Sequence, residues 1–171
     1  MSHKNQQLFV QSMRDTYPHS FIGKKVLEIG SLNINGSVRQ YFKNCNYLGV
    51  DLGQGKDVDM VCQGHKVPFP DGSFETVISC ECLEHDKHWA ETFKKMCDLS
   101  SDLVIMTCAT IGRKEHGTHA SAADSAPFTN DYYKNLAMSD FIGLLDFHLI
   151  FKHFGFAVNN ESHDIYFWGK K

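Results

Sequence analysis

Glu28-Ile29-Gly30, a loop running on to Gly36, and Asp51 roughly twenty residues past the first glycine are the grouping with the most chemistry in this 171-residue sequence. Glycines after a strand let the backbone approach a ligand, and an acid ending the next strand accepts hydrogen bonds from ribose hydroxyls. Together they describe a nucleoside site. The loop Gly30-Ser31-Leu32-Asn33-Ile34-Asn35-Gly36 lacks the G-x-G-x-x-G spacing that seats a pyrophosphate on a helix N-terminus. That departure counts against NAD, FAD and a nicotinamide-dependent oxidoreductase.

A second group carries acid-base chemistry. Glu81 and the histidines His85, His88, His116 and His119 fall in or near two later loops, where they could take a proton from an acceptor. His85-Asp86-Lys87-His88 and Glu115-His116-Gly117-Thr118-His119 each hold two histidines at a spacing that converges on one side of a helix and suits a metal. The second run sits beside Gly112 and Gly117 and is not expected to be helical, so no metal is expected. The six cysteines are scattered, with Cys80-Glu81-Cys82 rather than C-x-x-C as the tightest pair; neither a disulfide framework nor a zinc knuckle is expected. Cys80 and Cys108 end apolar runs and read as small core thiols.

These residues need elements to position them. Residues 6–17 show near-helical apolar spacing and stop at Pro18. Strand-like runs fall at 25–30, 46–52, 57–61, 76–80 and 102–107. Helices are expected over 36–44, with Val38, Tyr41 and Phe42 on one face, and over 89–99. A longer helix is expected over 139–154 with Ser139 as its N-cap, and a closing strand pair at 156–158 and 164–168. Residues 109–130 are rich in Gly, Ser, Ala, Thr and His without a period; connections this long are more often functional than decorative. Strands alternating with helices give an open, doubly wound, Rossmann-like α/β sheet whose ligand crevice lies beyond the carboxyl ends of the strands. The loops starting at Gly30, Asp51, Cys62, Cys80 and Cys108 are therefore where function is sought.

S-adenosylmethionine has no phosphate. It joins ribose and adenine to an amino acid and a sulfonium, and so wants an acid near the first loop, which Glu28 supplies. The stretches VLEIGSLNINGSVRQYF, YLGVDL, GHKVPFPDGSFETVISCECLEH and DLVIMTCAT stand in the order found in class I S-adenosylmethionine-dependent methyltransferases of the type 11 kind, and the chain resembles that family over about residues 25–110. The resemblance implies a seven-stranded, mostly parallel sheet with its last strand antiparallel. It implies that Glu28, Gly30, Ser31 and Gly36 hold the amino-acid part of the cofactor, Asp51 the ribose and Leu52 the adenine face. Gln63, Gly64 and His65 would line the adenine edge, with Cys80 and Glu81 at the methyl-bearing end. The chain departs from the family pattern at Leu32 and Ile34, which replace glycines, and at Gln63, which replaces an aspartate. A glutamine carbonyl can still accept the adenine amino hydrogen bond.

Composition narrows the rest. With 17 Lys and Arg against 20 Asp and Glu there is no basic footprint for nucleic acid, and the planar-amine clamp Asn-Pro-Pro-Tyr is absent after the fourth strand. No apolar run reaches the length of a membrane span, and residues 1–11 lack the pattern of a signal peptide, so a cytoplasmic location is expected. The expectation is a single domain, led by a helical segment at 1–24. It would transfer a methyl group to the O or N nucleophile of a small-molecule or carbohydrate-like substrate, with 109–130 as a lid and His85, Glu81 or His116 as base. A protein that binds the cofactor without catalysis, as a scaffold, is the alternative.

Overall fold

The structure is a computed structural model and describes residues 3–171. Seven strands form one sheet, β1 (Lys25–Ile29), β2 (Asn46–Asp51), β3 (Met60–Val61), β4 (Phe74–Cys80), β5 (Ser100–Ala109), β6 (His153–Asn159) and β7 (Asp164–Lys170), in the order β3-β2-β1-β4-β5-β7-β6. The first five run parallel, and β7 is antiparallel to both β5 and β6. β1 is central because its side chains are buried on both faces, which is why it reads as an unbroken apolar run. Val26 packs into the cluster with Val10, Met13 and Phe21, whereas Leu27 and Ile29 face Phe93, Met96 and Phe167 on the other side. The alternation leaves Glu28 on the Val26 face, at the strand's carboxyl end.

Helix α1 (Lys4–Thr16) covers the first face, with His3 at its N-cap position and the His3 Nδ1 3.4 Å from the Gln6 amide nitrogen. Helix α2 (Trp89–Leu99) covers the second through Phe93, Met96 and Leu99, joined there by α3 (Met138–Ile142) and α4 (Phe147–Ile150). Phe93, Phe141, Phe147 and Phe167 interlock with ring centroids 5.0 to 6.2 Å apart, so the aromatic residues of that region are core. Among the described residues no helix is long and apolar enough to cross a membrane.

Three expected elements differ. The helix over 36–44 is a single 3-10 turn, Val38–Tyr41, capped by Ser37 and closed by Phe42 in extended conformation. The strand at 57–61 shrinks to Met60–Val61 because Asp57 takes a left-handed φ of 67° and Val58 closes a turn onto Gly55. The helix over 139–154 is split. Asp140, not Ser139, accepts from the amide at the start of α3; Gly143 ends that helix, and the Asp146 side chain caps α4. His153 and Phe154 belong to β6, paired with Lys170 and Gly169.

Candidate functional site

Strand order reverses between β1 and β4, and a cleft of about 910 Å³, counted to its open mouth, lies beyond their carboxyl ends. Its floor is made where the two strands come together: Gly30 has a φ of +82°, and a Cβ built on it would stand 2.4 Å from Cys82 Cβ. Glu28, Gly30, Ser31 and Gly36 line the cleft from the first loop, and Asp51 and Leu52 from the second. Gly64, Cys80, Glu81 and His85 complete its far wall. Gln63 and His65 are not among the lining residues. The His65 ring packs instead on His88, 4.3 Å between centroids, and the buried Gln63 Oε1 has no hydrogen-bond partner.

Asn33 shapes the first loop in place of the glycines the family pattern carries. Its side-chain oxygen accepts from the Gly36 amide at 2.9 Å, and its amide nitrogen donates to Asp57 at 2.6 Å. Asp51 tethers the loop from the other side, accepting from the Leu32 and Leu52 amides at 3.0 and 2.7 Å. Burial raises its carboxyl above the usual range against those two hydrogen bonds. The carboxylate still has lone pairs for further donors. Glu28 is 4% exposed, and its carboxyl is pushed up to about 8 by burial, with the Tyr47 hydroxyl, donating at 2.9 Å, and the Arg39 charge pulling the other way. A buried acid with so little compensation is suited to a cationic ligand group. Beside it Ser31 Oγ is buried without a partner. Burial and the neighbouring Glu28 keep the Cys80 thiol protonated.

Glu81 follows β4 in a left-handed conformation, φ 53°, which a non-glycine residue adopts at a cost of about 1–3 kcal/mol. The turn carries its carboxylate inward to accept from Thr107 Oγ1 at 2.9 Å. His3 Nε2 lies 3.5 Å from Glu81 and 3.0 Å from Asp164 at the start of β7. Burial works against a charge on His3, yet the two carboxylates outweigh it and push the imidazole up to about 9. The N-cap of α1 thus fastens the helix over the cleft, and Gln6, one turn on, lines it.

Residue 109 ends β5, and residues 110–130 form no α-helix or strand; they fold across the mouth. Ser125, Ala126, Pro127 and Thr129 line the cleft, and the Phe128 ring packs on Gly53 in the loop after β2. The same segment brings His116 to His85, rings edge to face at 4.9 Å. Gly117 makes the approach possible: its φ is +72°, and a Cβ there would meet His85 Cε1 at 2.7 Å. Burial, then the His116 charge, pushes His85 down to about 3, and burial lowers His116 as well. Glu84 is fully buried, pushed up to about 8 by burial and then by Glu81 against the pull of the nearby Glu84 and Ala109 amides, and among the described residues no group stands in good hydrogen-bond geometry to either carboxyl oxygen. His88 stands at the N-cap position of α2 without a side-chain capping bond and His119 is exposed; neither lines the cleft. His3 and Gln6 carry no local sequence signal for these positions, because each reaches the site through a contact between distant segments, whereas Cys82 and Glu84 lie beside the singled-out Glu81 and His85.

No protein-family model and no curated protein matches the sequence. Solved structures do match in fold. The N-terminal domain of EvdMO1 with S-adenosylhomocysteine bound has a TM-score of 0.65 at 14% identity, over 99% of this chain and 82% of that one. The 1,6-didemethyltoxoflavin-N1-methyltransferase of Burkholderia thailandensis, also with S-adenosylhomocysteine, has 0.63 at 12% identity, over 97% and 78%. Phosphoethanolamine N-methyltransferase 2 of Haemonchus contortus has 0.65 at 16%, over 98% of this chain and 52% of that one. The chain spans about half the length of that enzyme and of the CurJ carbon methyltransferase. Its fold is that of the class I methyltransferases, with a seven-stranded sheet closed by the antiparallel β7.

Proposed function

We propose that this chain binds S-adenosylmethionine in the cleft and transfers its methyl group to an oxygen or nitrogen of a small-molecule or carbohydrate-like acceptor. The observation that carries the reading is the buried, weakly compensated Glu28 carboxyl beside Asp51 and the orphaned Ser31 hydroxyl, at the point where the strand order reverses. These residues fit the cofactor's three kinds of polar group. Glu28 would take the cationic amine, with Ser31 and the Gly30 to Gly36 backbone around the amino-acid part. Asp51 would take the ribose hydroxyls, and Leu52, 37% exposed, would lie against the adenine. Gly64, which lines the cleft, would lie at the adenine edge, with Gln63 Oε1 nearby as an acceptor that has no partner among the described residues.

The bound cofactor would supply a methyl on a good leaving group, so the protein's task is chiefly to align an acceptor and exclude water. Glu81 would receive the acceptor's proton, since its carboxylate lines the cleft beside Cys80. His85 and His116 are poorer bases: burial favours their neutral forms so strongly that neither holds a proton well near neutral pH. Residues 125–129 would act as the lid, with Phe128 on Gly53 as its latch.

Calorimetric titration with S-adenosylmethionine should give saturable binding that NAD does not compete away; an absence of heat and of competition by S-adenosylhomocysteine would end this reading. Asp51→Ala should weaken binding by about 1–3 kcal/mol, through the lost ribose contact and the loosened first loop. Phe128→Ala should speed cofactor dissociation about 3–10-fold in stopped flow, the equivalent of about 0.7–1.4 kcal/mol of lost apolar contact. Its unfolding midpoint should barely move because the ring is 54% exposed. An unchanged off-rate would mean that 125–129 is a fixed wall.

A further inference from the structure

We propose that Glu84, His85 and His116 form a binding site for a divalent first-row transition-metal ion at the back wall of the cleft. One possible ligand atom from each, a carboxylate oxygen of Glu84 and one ring nitrogen of each histidine, lies within 4.8 Å of the others. Glu84 is 0% and His85 5% exposed, yet among the described residues Glu84 Oε1 and Oε2, His85 Nε2 and His116 Nε2 are buried without a hydrogen-bond partner. A buried polar atom without a partner is destabilising, and four of them on three neighbouring residues call for a common partner.

The opposite edges of both rings are already committed. His85 Nδ1 faces the Tyr132 carbonyl at 3.4 Å and His116 Nδ1 the Lys114 carbonyl at 3.2 Å. A carbonyl only accepts, so each Nδ1 carries the proton and each Nε2 keeps its lone pair for another partner. This is the arrangement by which outer contacts orient metal-binding histidines. The Tyr133 ring, 5.4 and 4.9 Å from the two imidazoles, closes the side away from the sheet. His85 also lines the cleft, which gives an ion a way in. Two imidazoles and one carboxylate select zinc, iron, cobalt or manganese over calcium or magnesium, and three protein ligands leave coordination positions open.

The other His-carboxylate group nearby, His3 with Glu81 and Asp164, has a simpler account. There the imidazole is a cation paired with two anions, and Arg113 also reaches Asp164, at 3.1 Å.

The test is binding of metal alone, which is independent of whether the cleft takes S-adenosylmethionine. Full-length protein stripped with a chelator and kept reduced is titrated with Zn²⁺ in the calorimeter and with Co²⁺ in the visible region. The expected result is saturation at one ion per chain, and a Co²⁺ spectrum with d–d bands but no thiolate charge-transfer band. His116→Ala, on the cleft-covering segment, should weaken Zn²⁺ binding at least ~100-fold, above the usual cost of losing an outer-shell contact. Glu84→Gln should do the same while keeping the side chain's shape, and His153→Ala, an exposed histidine of β6, should bind as the parent does. Thermal melts of each variant without metal establish that it is folded; if Glu84→Gln is not, His116→Ala decides. Absence of saturable binding, a thiolate band, or undiminished binding in His116→Ala would each overturn the proposal.

Discussion

Gly30→Ala lowers stability by about 2–6 kcal/mol, the largest effect expected of any one-carbon change in this chain. Two costs combine. At φ +82° any side chain is strained by about 1–3 kcal/mol, and the new methyl would lie 2.4 Å from Cys82 Cβ and 2.5 Å from its Sγ, an overlap worth about as much again. Relief by backbone movement is blocked, because the Gly30 and Ser31 amides both donate to the Val50 carbonyl, at 2.9 and 3.1 Å. The halves can be separated. Cys82→Gly removes both clashing atoms and leaves the Cys82 Cα 3.8 Å away, so the double variant should recover the overlap and keep the strain. Urea melts of the four proteins should show about 1–3 kcal/mol of favourable coupling. If Gly30→Ala unfolds within about 0.5 kcal/mol of the parent, the two strand ends do not approach this closely.

That crossing of β1 and β4 was within reach of the sequence in one respect only. The glycine after an apolar run marks where a backbone must turn, but nothing local says that Cys82 is what it must avoid. The same division holds elsewhere. β1, β2, β4 and β5 are legible because strands buried on both faces leave unbroken apolar runs, and α2 because its apolar spacing has one period. Residues 36–44 carry Val38, Tyr41 and Phe42, three positions that a 3-10 turn satisfies as well as a helix, and the extended backbone of Ser37 and Phe42 bounds the turn on both sides. Phe147, Phe151 and Phe154 are spaced for a helix, yet Phe154 is claimed by its ladder with β7.

The candidate site divides the same way. Glu28, Gly30, Gly36 and Asp51 are near one another in sequence and in space, so spacing finds them. His85 and His116 each have a histidine three residues on, which invites a local pairing with His88 or His119. The fold pairs them across segments instead, with Glu84 between, because residues 109–130 double back over the end of β4. A window along the chain does not see that closure. It depends on Gly117, whose missing side chain leaves room for the His85 ring.

Glu28 gives the second large effect, a cofactor affinity that rises with pH. With its folded carboxyl at about 8, Glu28 is protonated in the empty cleft at pH 6 and must ionise to meet the cationic amine of S-adenosylmethionine. Each pH unit below about 8 therefore weakens binding by up to tenfold, and proton release should appear as a buffer-dependent heat. The same shift sets a stability trend of opposite sign. Between about 4.5 and 8 the folded state holds a proton that the unfolded chain has lost, so stability falls as pH rises through that window, by at most about 1.4 kcal/mol per unit. Glu28→Gln separates these terms, since glutamine keeps an acceptor for the Tyr47 hydroxyl but carries no charge. At pH 8.5 the variant should bind about 100-fold more weakly, as an unpaired buried ammonium costs about 3 kcal/mol or more. At pH 6 the gap should nearly close, because the parent then bears the cost of ionising Glu28 and the variant does not. A gap that stays constant across this range would place the amine somewhere other than Glu28, even if cofactor binding itself is observed.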